Sequence, residues 1–185
     1  MRKDLWIVAL LLLAHTTTSY SQLTVGDTPT RALATDGSFI SWKEHIIDDR
    51  LTSGVPFNGS DGLEMADLDR DGIDDIVSVH ESDSTYDSTA PGETPPAMGH
   101  VRIAFGSNNP YDWTNITLAE GADASAAEDA AIADVNGDGF LDIMVAAELS
   151  HLIYFQNPGQ DIRKRTWERL ILPMTQGRGL SLIHI

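Results

Sequence analysis

Short runs of apolar residues recur along the chain and are separated by clusters of Gly, Pro, Asn, Asp and Ser. Two such runs, at residues 76–79 and 143–147, each follow an acidic turn, and further runs begin at His100 and His151. Short apolar runs between turn residues predict β-strands. The Ala-rich stretch at residues 121–133 is interpreted as a loop that leads into a strand. The pattern therefore predicts an all-β protein.

The acidic turns belong to an internal repeat. The sequence DLDRDGIDD at residues 67–75 recurs, closely matched, as DVNGDGFLD at residues 134–142. Each repeat also has a Trp that opens an alternating apolar segment, at Trp42, Trp113 and Trp167. A repeat of about four strands over roughly 50–70 residues is typical of propeller blades. We therefore expect a partial β-propeller of four-stranded antiparallel blades, with about two to three blades present.

The repeat defines the expected domain organisation. The acidic-loop repeats lie around residues 42–110 and 113–160, and a third repeat begins near residue 166. Residues 81–99 are rich in Ser, Thr, Asp and Pro and have no counterpart in the second repeat. We interpret them as an insertion, for which a solvated loop is favoured over a binding loop. Together these segments are expected to form one propeller fragment across residues 22–179.

Both ends of the chain are expected to lie outside the propeller. Residues 1–21 combine Arg2 and Lys3 with a short apolar run and with small residues before Gln22, which is the layout of a cleaved secretory signal. A buried N-terminal helix is the alternative. Residues 180–185 are expected to be a sequencing-adaptor scar, with a genuine short apolar tail as the alternative. We therefore expect a secreted protein, either extracellular or periplasmic.

Acidic residues outnumber basic ones, with 28 Asp and Glu against 12 Lys and Arg and a formal net charge of −16. This charge argues against nucleic acid and anionic membrane surfaces as partners. The chain has no Cys, so disulfides cannot stabilise it in an oxidising compartment. Bound cations would neutralise the acidic turns and stabilise the fold in place of disulfides.

The first acidic turn has the spacing of a calcium-binding loop. Its predicted ligands are the side chains of Asp67, Asp69, Asp71 and Asp75 and the carbonyl oxygen of Ile73. Hard oxygen donors in that number suit Ca²⁺, whereas Zn²⁺ would require His or Cys. Metal-free turns stabilised by Asp and Asn side chains are the alternative. Two carboxylates about 4 Å apart would repel each other by about 4 kcal/mol at an effective dielectric constant of 20, which disfavours a metal-free turn.

The second acidic turn offers the same donors at the same spacing: Asp134, Asn136, Asp138, the carbonyl oxygen of Phe140, and Asp142. We therefore expect two Ca²⁺ sites. An EF-hand would need a Glu at position 12 of the loop and a helix on each side. Position 12 is Ser78 in the first turn and Val145 in the second, and apolar strands follow both. The EF-hand is therefore excluded.

The stretches DLDRDGIDDIVSV and DVNGDGFLDIMVAA resemble the FG-GAP/VCBS repeat family, the calcium-binding blades of integrin-like β-propellers in secreted bacterial proteins. The resemblance covers residues 42–179. It implies a propeller of more blades than this chain holds, so the rest of the propeller is expected to be missing. The pair Phe105-Gly106 matches the start of the motif that names the family, whereas Phe155-Gln156 lacks the Gly.

These features predict a secreted calcium-binding module for extracellular binding or adhesion, with a polysaccharide or a protein as ligand and no assignable ligand-binding residue. Two alternatives stay open: part of a secreted polysaccharide-degrading enzyme, either a propeller lyase or a propeller attached to a hydrolase, and a structural spacer of a surface protein. An enzyme acting on acidic sugars would need a cluster of Arg, Lys, His or Tyr. The chain is poor in these residues outside residues 163–169, so we favour a binding module without catalytic residues.

The recurrent Trp residues are interpreted as core side chains, with stacking on sugar rings as the alternative. The His residues at strand edges are likewise interpreted as structural rather than as metal ligands: His45, His100 and His151. Neither set changes the predicted function, and no membrane insertion is expected.

Overall fold

A computed structural model describes residues 28–81, 98–147, 151–163 and 166–173. The expected signal sequence, the expected scar and nearly all of the expected insertion lie outside these residues. The described residues form three antiparallel sheets of two, four and four strands, with only two short helical turns. The all-β prediction is confirmed, and the two four-stranded sheets are compatible with partial propeller blades. The described residues do not form a closed propeller.

The first of two compact units, Met1–Glu44, contains a hairpin. Its strands are β1 (Thr28–Leu33) and β2 (Phe39–Trp42), which pair antiparallel. Asp36 closes the turn, because the hydroxyl and the backbone N–H of Ser38 both donate to its Oδ1 atom, at 2.6 and 2.9 Å. These bonds lower the pKa of the Asp36 carboxyl, the hydroxyl bond more than the backbone bond.

The second compact unit, His45–Ile185, contains the short helix α1 (Arg50–Ser53) and both four-stranded sheets. Asp49 caps this helix, since its Oδ1 atom accepts a 2.6 Å hydrogen bond from the N–H of Thr52. Gly54 ends the helix in the left-handed conformation, with φ of 72°. Within the described residues, every helix is too short or too polar to cross a membrane.

The first four-stranded sheet runs in chain order through β3 (Gly62–Ala66), β4 (Asp75–His80), β5 (His100–Phe105) and β6 (Thr114–Glu120). All neighbouring strands are antiparallel. The central strands β4 and β5 are buried on both faces, which explains their nearly continuous apolar runs. The first acidic turn links β3 to β4.

The second four-stranded sheet has the same design, with β7 (Ala127–Ala133), β8 (Asp142–Ala147), β9 (His151–Gln156) and β10 (Glu168–Pro173). The second acidic turn links β7 to β8. A 3₁₀-helix at Gly121–Ala124 leads from the first sheet into β7. The Ala-rich stretch is therefore loop and strand, as predicted.

The sheets and the sequence repeat begin at different points. The repeat as predicted opens on a Trp, whereas the strands that follow Trp113 and Trp167 are β6 and β10, the last strands of their sheets. A strand after a Trp therefore completes one sheet, and the sheet that follows begins with the strand before the acidic turn.

One apolar core connects the two four-stranded sheets. Its members are fully buried aliphatic and aromatic side chains from both sheets, including Val77, Val101, Ile103, Val145, Ile153 and Phe155. The backbones of the two sheets approach closely at Gly62, where a Cβ atom would lie 2.7 Å from the Cα atom of Asp129. Trp167 is 5% exposed and belongs to this core, as predicted, whereas Trp113 is only partly buried.

Candidate metal centre

The first acidic turn brings three carboxylates together. One oxygen from each of Asp67, Asp69 and Asp71 lies within 4.8 Å of the other two. Strands β3 and β4 are paired up to Ala66 and Asp75, so the residues between them must reverse direction within a short loop. Gly72, with φ of 88°, supplies a left-handed backbone conformation in this reversal.

Backbone N–H groups inside the turn fix these carboxylates. Asp67 accepts hydrogen bonds from the N–H groups of Asp71 and Gly72, both at 3.0 Å. The Oδ1 atom of Asp69 accepts from the N–H of Asp71 at 3.2 Å, and the Oδ1 atom of Asp71 accepts from the N–H of Ile73 at 2.9 Å. The Oδ2 atoms of Asp69 and Asp71 take no bond from the turn's backbone and are directed to Arg163.

Asp75, the fourth predicted carboxylate ligand, begins β4 and is fully buried. Its two oxygens accept hydrogen bonds from the N–H of Leu68 at 2.9 Å and from the N–H of Gly106 at 3.0 Å. Burial raises the pKa of Asp75 to about 6, although both hydrogen bonds and the charge of Arg163 act in the opposite direction. Asp75 therefore ties the acidic turn to the end of β5.

The second turn repeats this hydrogen-bond scheme. The N–H of Gly139 donates to Asp134 at 2.9 Å, and the N–H of Asp138 donates to the Oδ1 atom of Asn136 at 2.9 Å. The N–H of Phe140 donates to Asp138 at 2.9 Å and is the main reason why the pKa of Asp138 is lowered. These three bonds have counterparts at the equivalent atoms of the first turn, so the sequence repeat is also a repeat of local geometry.

Asp142 occupies the place of Asp75 in the second turn and is equally buried. It accepts hydrogen bonds from the N–H groups of Val135 at 3.1 Å and Asn157 at 2.9 Å. The hydroxyl of Tyr154 adds a third bond at 2.9 Å. Burial, together with this bond to Asp142, raises the pKa of Tyr154 to about 12, so the phenol stays protonated and continues to donate.

Asn157 connects the two turns and was not predicted from the sequence. Its amide nitrogen donates to the carbonyl oxygens of Leu68 at 3.2 Å and Leu141 at 2.9 Å, one in each turn. Its Oδ1 atom accepts from the N–H of Gly159 at 2.8 Å. His100 begins β5 and His151 begins β9. Counted from these two residues, Asn157 is equivalent to Gly106. The equivalent of Phe105 is therefore Gln156, and the counterpart of the Phe105-Gly106 pair is Gln156-Asn157.

Two Arg residues also link the first turn to the second half of the unit. Arg163, which follows β9, contacts Asp69 at 2.6 Å and Asp71 at 3.0 Å. Arg70 reaches the other way, where it donates to the carbonyl oxygen of Gly139 and lies 4.0 Å from the centroid of the Phe140 ring. The sequence contains no local signal for either contact.

The residues of the first turn fit a hard divalent cation. All predicted donors are oxygens, and a positively charged guanidinium already lies between the Oδ2 atoms of Asp69 and Asp71. Among the described residues, this turn is the place where three side chains of the metal-binding types Asp, Glu, His or Cys lie close enough together to hold one ion. The second turn has the amide of Asn136 at the middle position. All the predicted metal ligands, side chains and carbonyls alike, and the number of sites stay predictions.

Residues 126–160 match the FG-GAP repeat family. The matched segment contains β7, the second acidic turn, β8 and the third strand with Asn157. No curated protein and no solved structure gave a match. The match is consistent with an FG-GAP repeat fragment, as predicted, and a repeat of this family suggests an extracellular, β-propeller-like module. The first acidic turn lies outside the matched residues and shares the geometry of the second.

Proposed function

We propose that this protein is a secreted, calcium-binding module for extracellular binding or adhesion, with a polysaccharide or a protein as its ligand. The observation that carries the proposal is the acidic turn that recurs in both four-stranded sheets with the same backbone hydrogen bonds. Oxygen donors gathered by such a turn suit Ca²⁺. The FG-GAP repeat at residues 126–160 supports the same function, because such repeats often bind calcium.

The proposed role of calcium is structural. Bound Ca²⁺ supplies positive charge to carboxylates that otherwise repel one another in a tight turn. At a free concentration one hundred times its Kd, a ligand that binds one site of the folded state alone adds about 2.7 kcal/mol to the free energy of unfolding. A chain without Cys has no disulfides to provide such stabilisation.

The calcium proposal is tested by thermal unfolding of the purified protein in EDTA, in Ca²⁺ and in Mg²⁺. We expect Ca²⁺ to raise the melting temperature by several degrees and Mg²⁺ to raise it less, because Mg²⁺ demands octahedral geometry and releases its water reluctantly. Equal melting temperatures in all three solutions would contradict the proposal.

A polar cavity of about 330 Å³ beside the second turn is a candidate contact surface. Its lining includes Asp138, Gln156, Thr166 and Glu168, together with the ring of Phe140. The polar groups can bond to sugar hydroxyls, and an aromatic ring can pack against a sugar face. The two carboxylates would repel an anionic sugar, so the cavity favours a neutral sugar chain or a basic peptide segment.

The same electrostatics argue against a lyase that acts on acidic sugars. Such an enzyme needs cationic side chains that are available to the substrate. Among the described residues, the lining of the cavity contains the carboxylates of Asp138 and Glu168 and no cationic side chain. We therefore retain binding as the proposed function and the enzyme as the alternative.

Affinity electrophoresis distinguishes the proposed binding module from the enzyme and from the structural spacer. The protein would be run through gels that contain neutral or anionic polysaccharides, in Ca²⁺ and in EDTA, and the incubated sugars would be assayed for new reducing ends. We expect calcium-dependent retardation by neutral chains without release of products. Product formation would favour the enzyme alternative. Absence of retardation by any polysaccharide and of binding to basic peptides would favour the structural spacer.

A further inference from the structure

Arg163 is placed as a cation within the first acidic turn. Its Nε atom lies 2.6 Å from the Oδ2 atom of Asp69, and its Nη2 atom lies 3.0 Å from the Oδ2 atom of Asp71. The Nη2 atom also lies 3.4 Å from the carbonyl oxygen of Gly106, and the guanidinium lies 5.0 Å from the centroid of the Phe105 ring. The Arg163 side chain is 32% exposed and Asp69 is 13% exposed, so this pair is partly shielded from water.

The guanidinium uses the carboxylate oxygens that the turn leaves available. The Oδ1 atoms of Asp69 and Asp71 accept backbone N–H bonds from within the turn. Only their Oδ2 atoms are directed to a partner outside it, and Arg163 contacts both. A metal ion in the first turn would need oxygens of the same two residues. Simultaneous use of one oxygen by two cations is disfavoured, because the cations repel each other.

The second turn has a different arrangement at the equivalent atom. There the Oδ2 atom of Asp138 accepts a 2.9 Å hydrogen bond from the amide nitrogen of Asn136, a neutral donor within the same turn. The second turn therefore has three carboxylates and an internal amide, and Arg70 contacts it at the carbonyl oxygen of Gly139 and at the Phe140 ring. The first has four carboxylates and a positive charge that comes from the other sheet.

We propose that Arg163 is a tethered cation that competes with Ca²⁺ for the first turn and thereby lowers the calcium affinity of that turn below the affinity of the second. This inference rests on the proposed calcium binding and adds a specificity-determining residue to it. When calcium occupies the first turn, the guanidinium leaves Asp69 and Asp71. Calcium then replaces an ionic link between the first turn and the second sheet.

The test is calcium titration by isothermal calorimetry on the wild-type chain, Arg163→Gln and Arg169→Gln. Arg169 is a matched control, because it forms a surface pair with Asp123 at 2.8 Å and has no contact with either turn among the described residues. We expect two classes of site in the wild type. Arg163→Gln should strengthen the weaker class roughly three- to tenfold, equivalent to about 0.7–1.4 kcal/mol, while Arg169→Gln changes neither class.

Asp138→Asn shows which class of site belongs to the second turn, since this substitution should weaken calcium binding at the tighter class. A second measurement is the melting temperature without calcium. Arg163→Gln should melt below the wild type in EDTA, since an ionic link is lost, and the difference should vanish in saturating Ca²⁺. Arg163→Lys, which keeps the charge but not the planar fork, should gain less affinity than Arg163→Gln.

The outcomes separate the two proposals. If the wild type binds calcium and Arg163→Gln leaves the weaker class unchanged or weakens it, the competition by Arg163 is wrong and calcium binding stands. Calcium binding that appears only in Arg163→Gln would support the competition. If neither protein binds calcium, both proposals are overturned.

Discussion

The buried carboxylate that ends each acidic turn is a structural clamp as well as a predicted ligand. Asp142 is fully buried and accepts from two backbone N–H groups and one hydroxyl, so it joins the turn to the end of the third strand. Asp75 does the same in the first sheet. A buried charge is tolerated only when hydrogen bonds satisfy it, and these bonds provide that.

Replacing Asp142 with Asn should destabilise the protein even without calcium. The substituted amide has one oxygen instead of two and directs its NH₂ group at the backbone N–H of Val135 or of Asn157. We expect a loss of about 1–3 kcal/mol in the free energy of unfolding, measured by urea denaturation in EDTA. Asp74→Asn is the control. Asp74 is exposed, so its substitution should change stability by no more than about 0.5 kcal/mol. Equal effects of the two substitutions would show that Asp142 is not a clamp.

Asp138 offers the opposite case, an exposed predicted ligand. In Asp138→Asn the Oδ1 oxygen can still accept from the N–H of Phe140, but the negative charge and the exposed hydrogen bond from the amide of Asn136 are lost. We expect the melting temperature in EDTA to be nearly unchanged and the rise caused by Ca²⁺ to be clearly smaller than in the wild type. The measurement is differential scanning calorimetry of both proteins in both solutions. A rise equal to that of the wild type would remove Asp138 from the ligand set.

The structure of each acidic turn depends on three strands. The turn joins the first two strands, and the residue that follows the third strand hydrogen-bonds to the turn. Asn157 performs this last step for both turns, since its amide bonds to Leu68 and to Leu141. The first sheet has Gly106 at the equivalent position, where a Cβ atom would lie 2.6 Å from the carbonyl oxygen of Asp74. The two sheets are therefore similar in topology but not interchangeable at this position.

Asn157→Ala should weaken the connection between the turns, because the bond from Arg70 to Gly139 would remain without the bonds from Asn157. The substitution leaves the carbonyls of Leu68, which is buried, and Leu141, which is partly buried, without this donor and removes the acceptor for Gly159, so we expect a loss of about 2–4 kcal/mol in the free energy of unfolding. Asn109→Ala provides a matched control, because Asn109 is exposed and its side chain accepts one bond, from Tyr111. Chemical denaturation of both variants measures the difference. A loss no larger than that of the control would contradict the bridging role.

The stability of the whole molecule should depend on pH through its buried His residues. His80 is 6% exposed, its Nδ1 atom lies 2.7 Å from the carbonyl of Gly59, and its ring lies 4.5 Å from the ring of Phe57. Burial lowers the pKa of His80 below its ordinary value of 6.5, against the effects of the Gly59 bond and of Asp48. His100 has a pKa lowered by burial in the same way.

Because the pKa of His80 is lower in the folded state, the unfolded chain binds more protons as the pH falls below 6.5. The stabilisation that neutral His80 contributes to the folded state is therefore fully present above that pH and is lost progressively as the pH falls. In His80→Asn this loss should be smaller, so the stability difference between wild type and variant should narrow from pH 8 to pH 5 by about 1 kcal/mol or less. Urea denaturation across this range checks it, and a constant difference would exclude His80 as a contributor.

The local sequence pattern was sufficient to predict much of the structure of this protein. The apolar runs predicted the strands, and the acidic spacing predicted a turn in which Asp67, Asp69 and Asp71 converge. These features follow from the sequence because strand formation and tight turns depend on residues that are close neighbours along the chain. The family match covers residues 126–160, which contain the second acidic turn and its flanking strands, and it confirmed the predicted FG-GAP family for that segment.

Contacts between sheets were decided only by the tertiary structure. Arg163 is separated by 94 residues from Asp69, and Asn157 by 89 residues from Leu68, and no periodicity connects them. Such contacts exist because two sheets share one core and bring the segment after β9 against the first acidic turn. The sequence by itself determined the strands, the turns and the oxygen donors, since these depend on local residue chemistry. The packing of the sheets determined which cation already contacts the first turn, because that depends on side chains far apart in sequence.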